Sequence, residues 1–144
     1  EKGTDVVFVE RTTVLALGKM MLTVYPPVTA SGDLNEQGLS VLGTAGEFDI
    51  LVTGDMAGST ERRLAEIYDL PDVEVLVVSH HGSRYSSDAA FLQAIRPETA
   101  VISVGDNSYG HPAQETLDRL TEAGASVWRT DEQGAVRITV NGGN

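Results

Sequence analysis

The sequence predicts an α/β layered domain in which helices cover β-structure, and three observations carry that prediction. Val73–Val78 and Ala100–Val104 are nearly continuous apolar runs rich in β-branched residues, the pattern of strands covered on both faces. Segments of helical periodicity lie between such runs. The order is short strands first, then strand–helix–strand units, then a closing hairpin, which is how helices come to be layered on a sheet.

The elements follow in order. Val6–Val9, Val14–Leu17 and Met20–Tyr25 read as short strands separated by Thr12-Thr13 and Gly18-Lys19, a hairpin or meander. Pro26-Pro27 stops the third, because proline has no N–H for a ladder. Residues 28–38 are a Gly/Asp/Asn-rich loop. Further strands are expected at Leu39–Leu42, Phe48–Thr53, Val73–Val78, Ala100–Val104, Val127–Trp128 and Val136–Val140. One helix is expected over Thr60–Tyr68, with Leu64, Ile67 and Tyr68 on one stripe and Ser59 as N-cap. A second runs over Asp88–Ile95 and stops before Pro97. The third covers Pro112–Ala123, with proline at its first position and Gly124 just past its end. Asp131-Glu-Gln-Gly134 reads as the turn of the closing hairpin.

Composition narrows the function. The 144 residues, 41% of them hydrophobic, suit a single domain with one core, and no repeat or low-complexity stretch divides them. No apolar stretch approaches the ~20 residues of a membrane span, and the polar start from Glu1 to Asp5 has no signal-peptide character. The absent initiator Met reads as a piece cut from a longer protein. Zero cysteines exclude disulfides, thiolate catalysis and cysteine-bound zinc. Any metal must be held by His, Asp, Glu or backbone oxygen. A net charge of −11 argues against tight binding to nucleic acid by a basic surface, but not against a site where bound cations do the neutralising.

Three apolar strands run straight into polar residues of unusual chemistry. Ile50–Thr53 leads to Gly54-Asp55, Val73–Val78 to Ser79-His80-His81-Gly82-Ser83, and Ala100–Val104 to the Gly105–Pro112 segment containing Asp106 and His111. In open α/β sheets, ligands lie beyond the carboxyl ends of the strands. All three histidines of the chain lie in two of these junctions. Taken singly, Asp55 suits a strand end, His111 suits a helix start, and Asp106 with Asn107 suits a turn. Two adjacent histidines followed by Gly-Ser after a buried strand fit that reading less well. Imidazole and carboxylate are the natural ligands for zinc or manganese when thiolates are absent. A carboxylate can also bridge two cations ~3.5–4 Å apart. One Asp and one or two His cannot complete such a two-metal site.

At Leu51-Val-Thr-Gly-Asp55 and Val77-Val-Ser-His-His-Gly-Ser83 the sequence resembles the metallo-β-lactamase superfamily. Asn35–Leu42, Ser86-Ser87, Tyr109-Gly-His-Pro112 and Trp128–Val136 continue the resemblance in the same order, toward the ComEC family of competence DNA-uptake channel proteins. It covers roughly residues 20–140. The resemblance implies the C-terminal part of a metallo-β-lactamase-like αββα sandwich with a two-metal phosphodiesterase-type site. By position, Asp55 becomes the bridging carboxylate. One of His80 and His81 becomes a metal ligand, the choice here being His81. His80 then faces the substrate phosphate and His111 lines the pocket, the two catalytic positions. The superfamily's main motif, His-x-His-x-Asp-His, is absent and is expected before residue 1. The chain alone is therefore expected to hold zinc or manganese weakly and to catalyse little. Its implied partners are DNA, through the parent protein, and the missing N-terminal half of the domain. The parent is implied to be a bacterial multi-pass membrane protein, with this part soluble. Two other readings stand beside this one: a metallo-hydrolase acting on another phosphodiester or ester such as phosphorylcholine, and a non-catalytic α/β binding module with a structural His pair.

Overall fold

In the computed structural model, which describes residues 3–30 and 32–140, strand ends fall where proline, glycine and polar clusters place them. The Glu1-Lys2 start of the chain lies outside the described residues. β1 (Thr13–Leu17) and β2 (Met20–Tyr25) form the first hairpin, followed by β3 (Ser40–Ala45) and β4 (Phe48–Val52). Then α1 (Gly58–Ile67), β5 (Val75–Val77), α2 (Ala89–Ile95), β6 (Thr99–Ile102), α3 (Gln114–Glu122) and β7 (Ser126–Arg129) alternate, and α4 (Thr130–Gln133) closes the series. Among the described residues the strands form one seven-stranded sheet in sequence order, β1 to β4 antiparallel and β4 to β7 parallel.

Each parallel step moves one strand in the same direction. Right-handed crossovers therefore put α1, α2 and α3 on one face. The register shows which side chains meet them. Leu42, Leu51, Leu76, Ala100 and Val127 stand in one row across five strands. Four of the five are buried, and all pack into one core with Leu64 of α1, Phe91, Leu92 and Ile95 of α2, and Leu120 of α3. Burying each of the leucine, isoleucine and phenylalanine side chains contributes about 1.5–3 kcal/mol relative to leaving it in water.

Because strand side chains alternate, the neighbouring row points the other way. Val41, Val52, Val77, Val101 and Trp128 form it. Val52 is 38% exposed and Trp128 47%, and Leu15 and Leu17 extend the same apolar face over the first hairpin. Within β5 and β6, the strands expected to be covered on both faces, no residue is exposed; the open positions lie on the flanking strands. The helices cover one face, and the other carries equally apolar side chains that are half-buried in the middle of the sheet and exposed at Val52 and Trp128.

Two expected strands are absent. Val6–Val9 and Val136–Val140 are irregular, with Val6, Val7 and Phe8 76%, 78% and 85% exposed. A strand needs a neighbour for its row of N–H and C=O groups, and neither segment has one among the described residues. The closing hairpin turn is instead the short helix α4. Arg129 pairs with Asp131 and Glu132, both at 2.7 Å, and its N–H donates to Gln133 Oε1 at 2.7 Å, winding the chain up at that point. The helix starts also differ in detail. α1 is capped from outside, with the N–H of Ala57 donating to Glu36 Oε1 at 2.9 Å, rather than by Ser59. α3 begins two residues after Pro112. Asp88, expected as the first residue of the second helix, instead caps α2, accepting from the N–H groups of Ala90 and Phe91.

The facing of β4 is testable with adjacent residues. Leu51→Ala should cost about 2–5 kcal/mol in urea unfolding of this chain, because Leu51 is fully buried under the helices. Val52→Ala should cost under about 1 kcal/mol. Equal losses would mean that both faces of the strand are packed.

Candidate metal and phosphate site

Parallel alignment brings the carboxyl ends of β4, β5 and β6 to a single edge of the sheet. The segments that follow them hold Asp55, the His80-His81 pair and His111. They are tied together: the N–H of His80 donates to the Gly54 carbonyl at 3.0 Å, and that of Ala113 to the Gly82 carbonyl at 2.8 Å.

The turn after β5 is strained. His80 and His81 both lie in the left-handed region, at φ 50° and 53°, and Gly82 follows at 79°. Residues without glycine's freedom persist there only where the surroundings over-determine them, at a cost of about 1–3 kcal/mol each. At position 82 only glycine fits, since a Cβ would lie 2.7 Å from Pro112 Cβ.

This turn aims the two imidazoles differently. His81 Nδ1 lies 2.7 Å from the Ser103 carbonyl. A carbonyl only accepts, so Nδ1 carries the proton and the neutral ring keeps its lone pair on Nε2. Nε2 lies 4.0 Å from Asp55 Oδ1, and both side chains are half exposed. His80 turns the other way and meets His111 edge to face, ring centres 5.7 Å apart. The four expected residues thus gather at one edge as two pairs, Asp55 with His81 and His80 with His111.

His111 sits on a braced loop. Asn107 accepts from the N–H groups of Tyr109 and His111, both at 3.1 Å, and donates to the carbonyls of Gly105 and His111. Tyr109 stacks on His111 with centres 6.0 Å apart. Burial, and then the positive charge that His80 and His81 can carry, holds the His111 pKa below its ordinary value. Its Nδ1 is buried without a protein partner. Beside His81 and His111 opens a cleft of about 310 Å³, walled by Val104, Asp106, Asn107, Tyr109 and Thr130 among others. Among the described residues no group of three His, Asp or Glu side chains is arranged to hold a metal ion unaided.

One residue beneath the site was not expected from the sequence. Glu61 of α1 is fully buried. Its Oε1 accepts from Ser79 Oγ at 2.6 Å, and its Oε2 accepts from the N–H of Asp88 at 3.0 Å. Burial raises its pKa to about 7, against the lowering effect of those hydrogen bonds. The available signal was position: Glu61 shares the apolar stripe of Leu64 and Tyr68, where a carboxylate is out of place.

No protein-family model matches the chain. It is 31% identical over 139 residues to ComE operon protein 3 of Bacillus subtilis (strain 168), covering 95% of this chain and 18% of that protein. It is 40% identical over 102 residues to Competence protein ComA of Neisseria gonorrhoeae, covering 69% and 15%. With Recombination protein 2 of Haemophilus influenzae it shares 32% over 105 residues, covering 72% and 13%. The chain thus spans only a small part of each curated relative. Among solved structures it resembles CmlA, a diiron beta-hydroxylase from Streptomyces venezuelae, with a TM-score of 0.56 and 15% identity over 89% of this chain and 34% of that one. A mutant of CmlA gives a TM-score of 0.54 at 16% identity, over 88% and 32%. Identity at that level shows the fold alone. The fold is of the metallo-β-lactamase type, seen here as one mixed sheet with helices packed on it.

Two outcomes check the geometry. Gly82→Ala should lose about 1–3 kcal/mol in urea unfolding from backbone strain alone, and a neutral result would mean that the turn is not left-handed. Glu61→Gln removes a titration. Because the folded pKa lies above the unfolded value of about 4.3, the folded state binds the proton more tightly. That contribution to stability is fully present below the unfolded value and is lost as pH rises toward about 7. The stability of the wild type relative to Glu61→Gln should therefore fall by on the order of 3 kcal/mol between pH 4.5 and 7.5. A flat difference in urea titrations over that range would mean that the carboxylate is not buried.

Proposed function

The chain belongs to the ComEC family of competence proteins, and on that premise we propose that it is part of a metal-dependent, nuclease-type phosphodiester hydrolase domain working in DNA uptake. The observation that carries the proposal is the Asp55–His81 pair. The Nε2 lone pair of His81, fixed by the Ser103 carbonyl, faces the Asp55 carboxylate at 4.0 Å. A metal-ligating histidine is oriented in this way, its second nitrogen held by a carbonyl or carboxylate. Imidazole and carboxylate fit zinc or manganese.

Asp55 and His81 would hold the metal, which when bound supplies Lewis acidity toward a phosphoryl oxygen and a nucleophile at neutral pH. His80 and His111 line the approach on the other side. In this reading one ring nitrogen of each would hydrogen-bond a phosphate oxygen or move a proton at the leaving oxygen. With a net charge of −11 the chain has no basic stripe for a DNA backbone, so a cation at this edge is what would draw one in.

Two protein ligands are fewer than the three usual for a catalytic zinc, so further donors must come from outside the described residues. The open face supports a source. Val52, Val77 and Val101 of its row lie near the same edge as the site, and a second β-layer laid over them would bury that row and bring donors to the edge. The resemblance implies His-x-His-x-Asp-His in such a layer. Membership in a DNA-uptake channel family makes the whole protein a membrane protein in this reading. Among the described residues no helix is long and apolar enough to cross a membrane.

The test uses the protein at the full length of its relatives. It should cleave single-stranded DNA with Mn²⁺ or Zn²⁺. Asp55→Ala and His81→Ala should each abolish cleavage with little change in thermal stability, because both side chains are half exposed. The 144-residue chain alone should bind the metal weakly. Tight stoichiometric binding by the short chain would overturn the proposal, as would a full-length protein that stays inert with both metals.

A further inference from the structure

Asp55 and His81 hang from neighbouring parallel strands in the same way, each two residues beyond a buried hydroxyl residue. Those residues, Thr53 and Ser79, touch each other side chain to side chain at 2.5 Å and are fully buried. Neither hydroxyl faces water, and their order is set from one end. With Glu61 ionised, it accepts the Ser79 proton at 2.6 Å and Ser79 in turn accepts from Thr53. The second oxygen of Glu61 takes the N–H of Asp88 at 3.0 Å, the residue that caps α2. A single carboxylate on α1 thus joins the ends of β4 and β5 to the start of α2, directly beneath the left-handed His80-His81 turn.

A carboxylate in that place is costly for the fold. The position faces the core and could be apolar, whereas desolvating a carboxylate costs several kcal/mol before its hydrogen bonds offset the loss. Such a residue has a role beyond packing when its removal would free something that must be held, here the rung from which both ligand-bearing segments extend.

We infer that Glu61 is the positioning residue of the site, fixing the separation and orientation of Asp55 and His81 through Ser79 and Thr53 without touching metal or substrate. The inference rests on the reading of Asp55 and His81 as metal ligands. It specifies what keeps them in register: hydrogen bonding by Glu61 rather than its charge. Gln at 61 can donate to Ser79 and still accept from Asp88, leaving Ser79 to donate to Thr53. Met at 61 leaves both the Ser79 hydroxyl and the Asp88 N–H without that partner.

Two measurements test the inference. In the full-length protein, Glu61→Gln should bind Mn²⁺ within about threefold of wild type, while Glu61→Met should bind it about 10–100-fold more weakly, the usual scale for losing an outer partner of a ligand. In an Asp55→Ala background Glu61→Met should have no further effect on binding, although its effect on melting temperature persists. A merely structural residue would give the same loss in both backgrounds. Histidine ¹⁵N NMR of the metal-free 144-residue chain, well below its melting temperature, gives the second readout. His81 should be the Nδ1-protonated tautomer in wild type and Glu61→Gln, and a tautomer mixture in Glu61→Met. Ser79→Ala should reproduce the Met result, and it replaces that variant if Glu61→Met does not fold. The inference is overturned if folded Glu61→Met or Ser79→Ala keeps wild-type Mn²⁺ affinity, or if both keep the wild-type tautomer. If Asp55→Ala leaves Mn²⁺ binding unchanged, the metal assignment itself fails, and the tautomer measurement still decides whether Glu61 orients His81.

Discussion

Parallel strands cannot be joined by a tight turn, so each connection from β4 to β7 must cross the sheet, here through a helix. Because the strands advance one place at a time, a right-handed crossover allows only one face for all three helices. That restriction has two results. It directs the ends of β4, β5 and β6 to one edge, where three turns of different chemistry converge. It also leaves the opposite face with no cover from these connections. The site and the bare face have the same topological origin.

Local devices refine what topology provides. The convergence alone would bring Asp55, His81 and His111 near one another, not into fixed orientation. Orientation comes from polar groups working at close range. The Ser103 carbonyl selects a tautomer of His81, Asn107 closes the loop that carries His111, and Pro112 packs against Gly82 so that only a residue without a side chain fits. On the other side of the sheet edge, Arg119 of α3 donates to the carbonyls of Arg84, Ser86 and Ser87, holding the loop between the His pair and α2. Each turn of the site is thus braced from a different helix or loop.

The sequence disclosed those parts of the fold whose pattern is local. Val73–Val78 and Ala100–Val104 were legible as strands because their β-branched runs are bounded by polar turns. Val6–Val9 and Val136–Val140 carry the same local pattern and are not strands, because pairing depends on a neighbour that the pattern does not reveal. The same blindness affected coverage. An apolar residue such as Val77 or Val101 reads alike whether its cover belongs to this chain or to something else. At the site, the strand-end positions of Asp55, His80, His81 and His111 were readable, and so was their gathering. Which histidine faces Asp55 was not, since that follows from two consecutive left-handed residues. Glu61 was hidden for a different reason: acidic residues are ordinary in the first turn of a helix, and only its phase against Leu64 and Tyr68 separates it from a surface charge.

The left-handed backbone at His80 and His81 also limits how this site can change over generations. Among side-chain-bearing residues, Asn and Asp share with His an enrichment in that region, whereas β-branched and bulky residues are outliers there. The substitutions the turn tolerates best are therefore oxygen donors. Drift at either position would tend to replace an imidazole by an amide or a carboxylate rather than by something inert. In the proposed reading, such a change at His81 would carry the edge away from cations that favour nitrogen and toward harder ones such as magnesium or calcium. Backbone shape thus channels mutation at this turn toward oxygen-bearing side chains before inert ones.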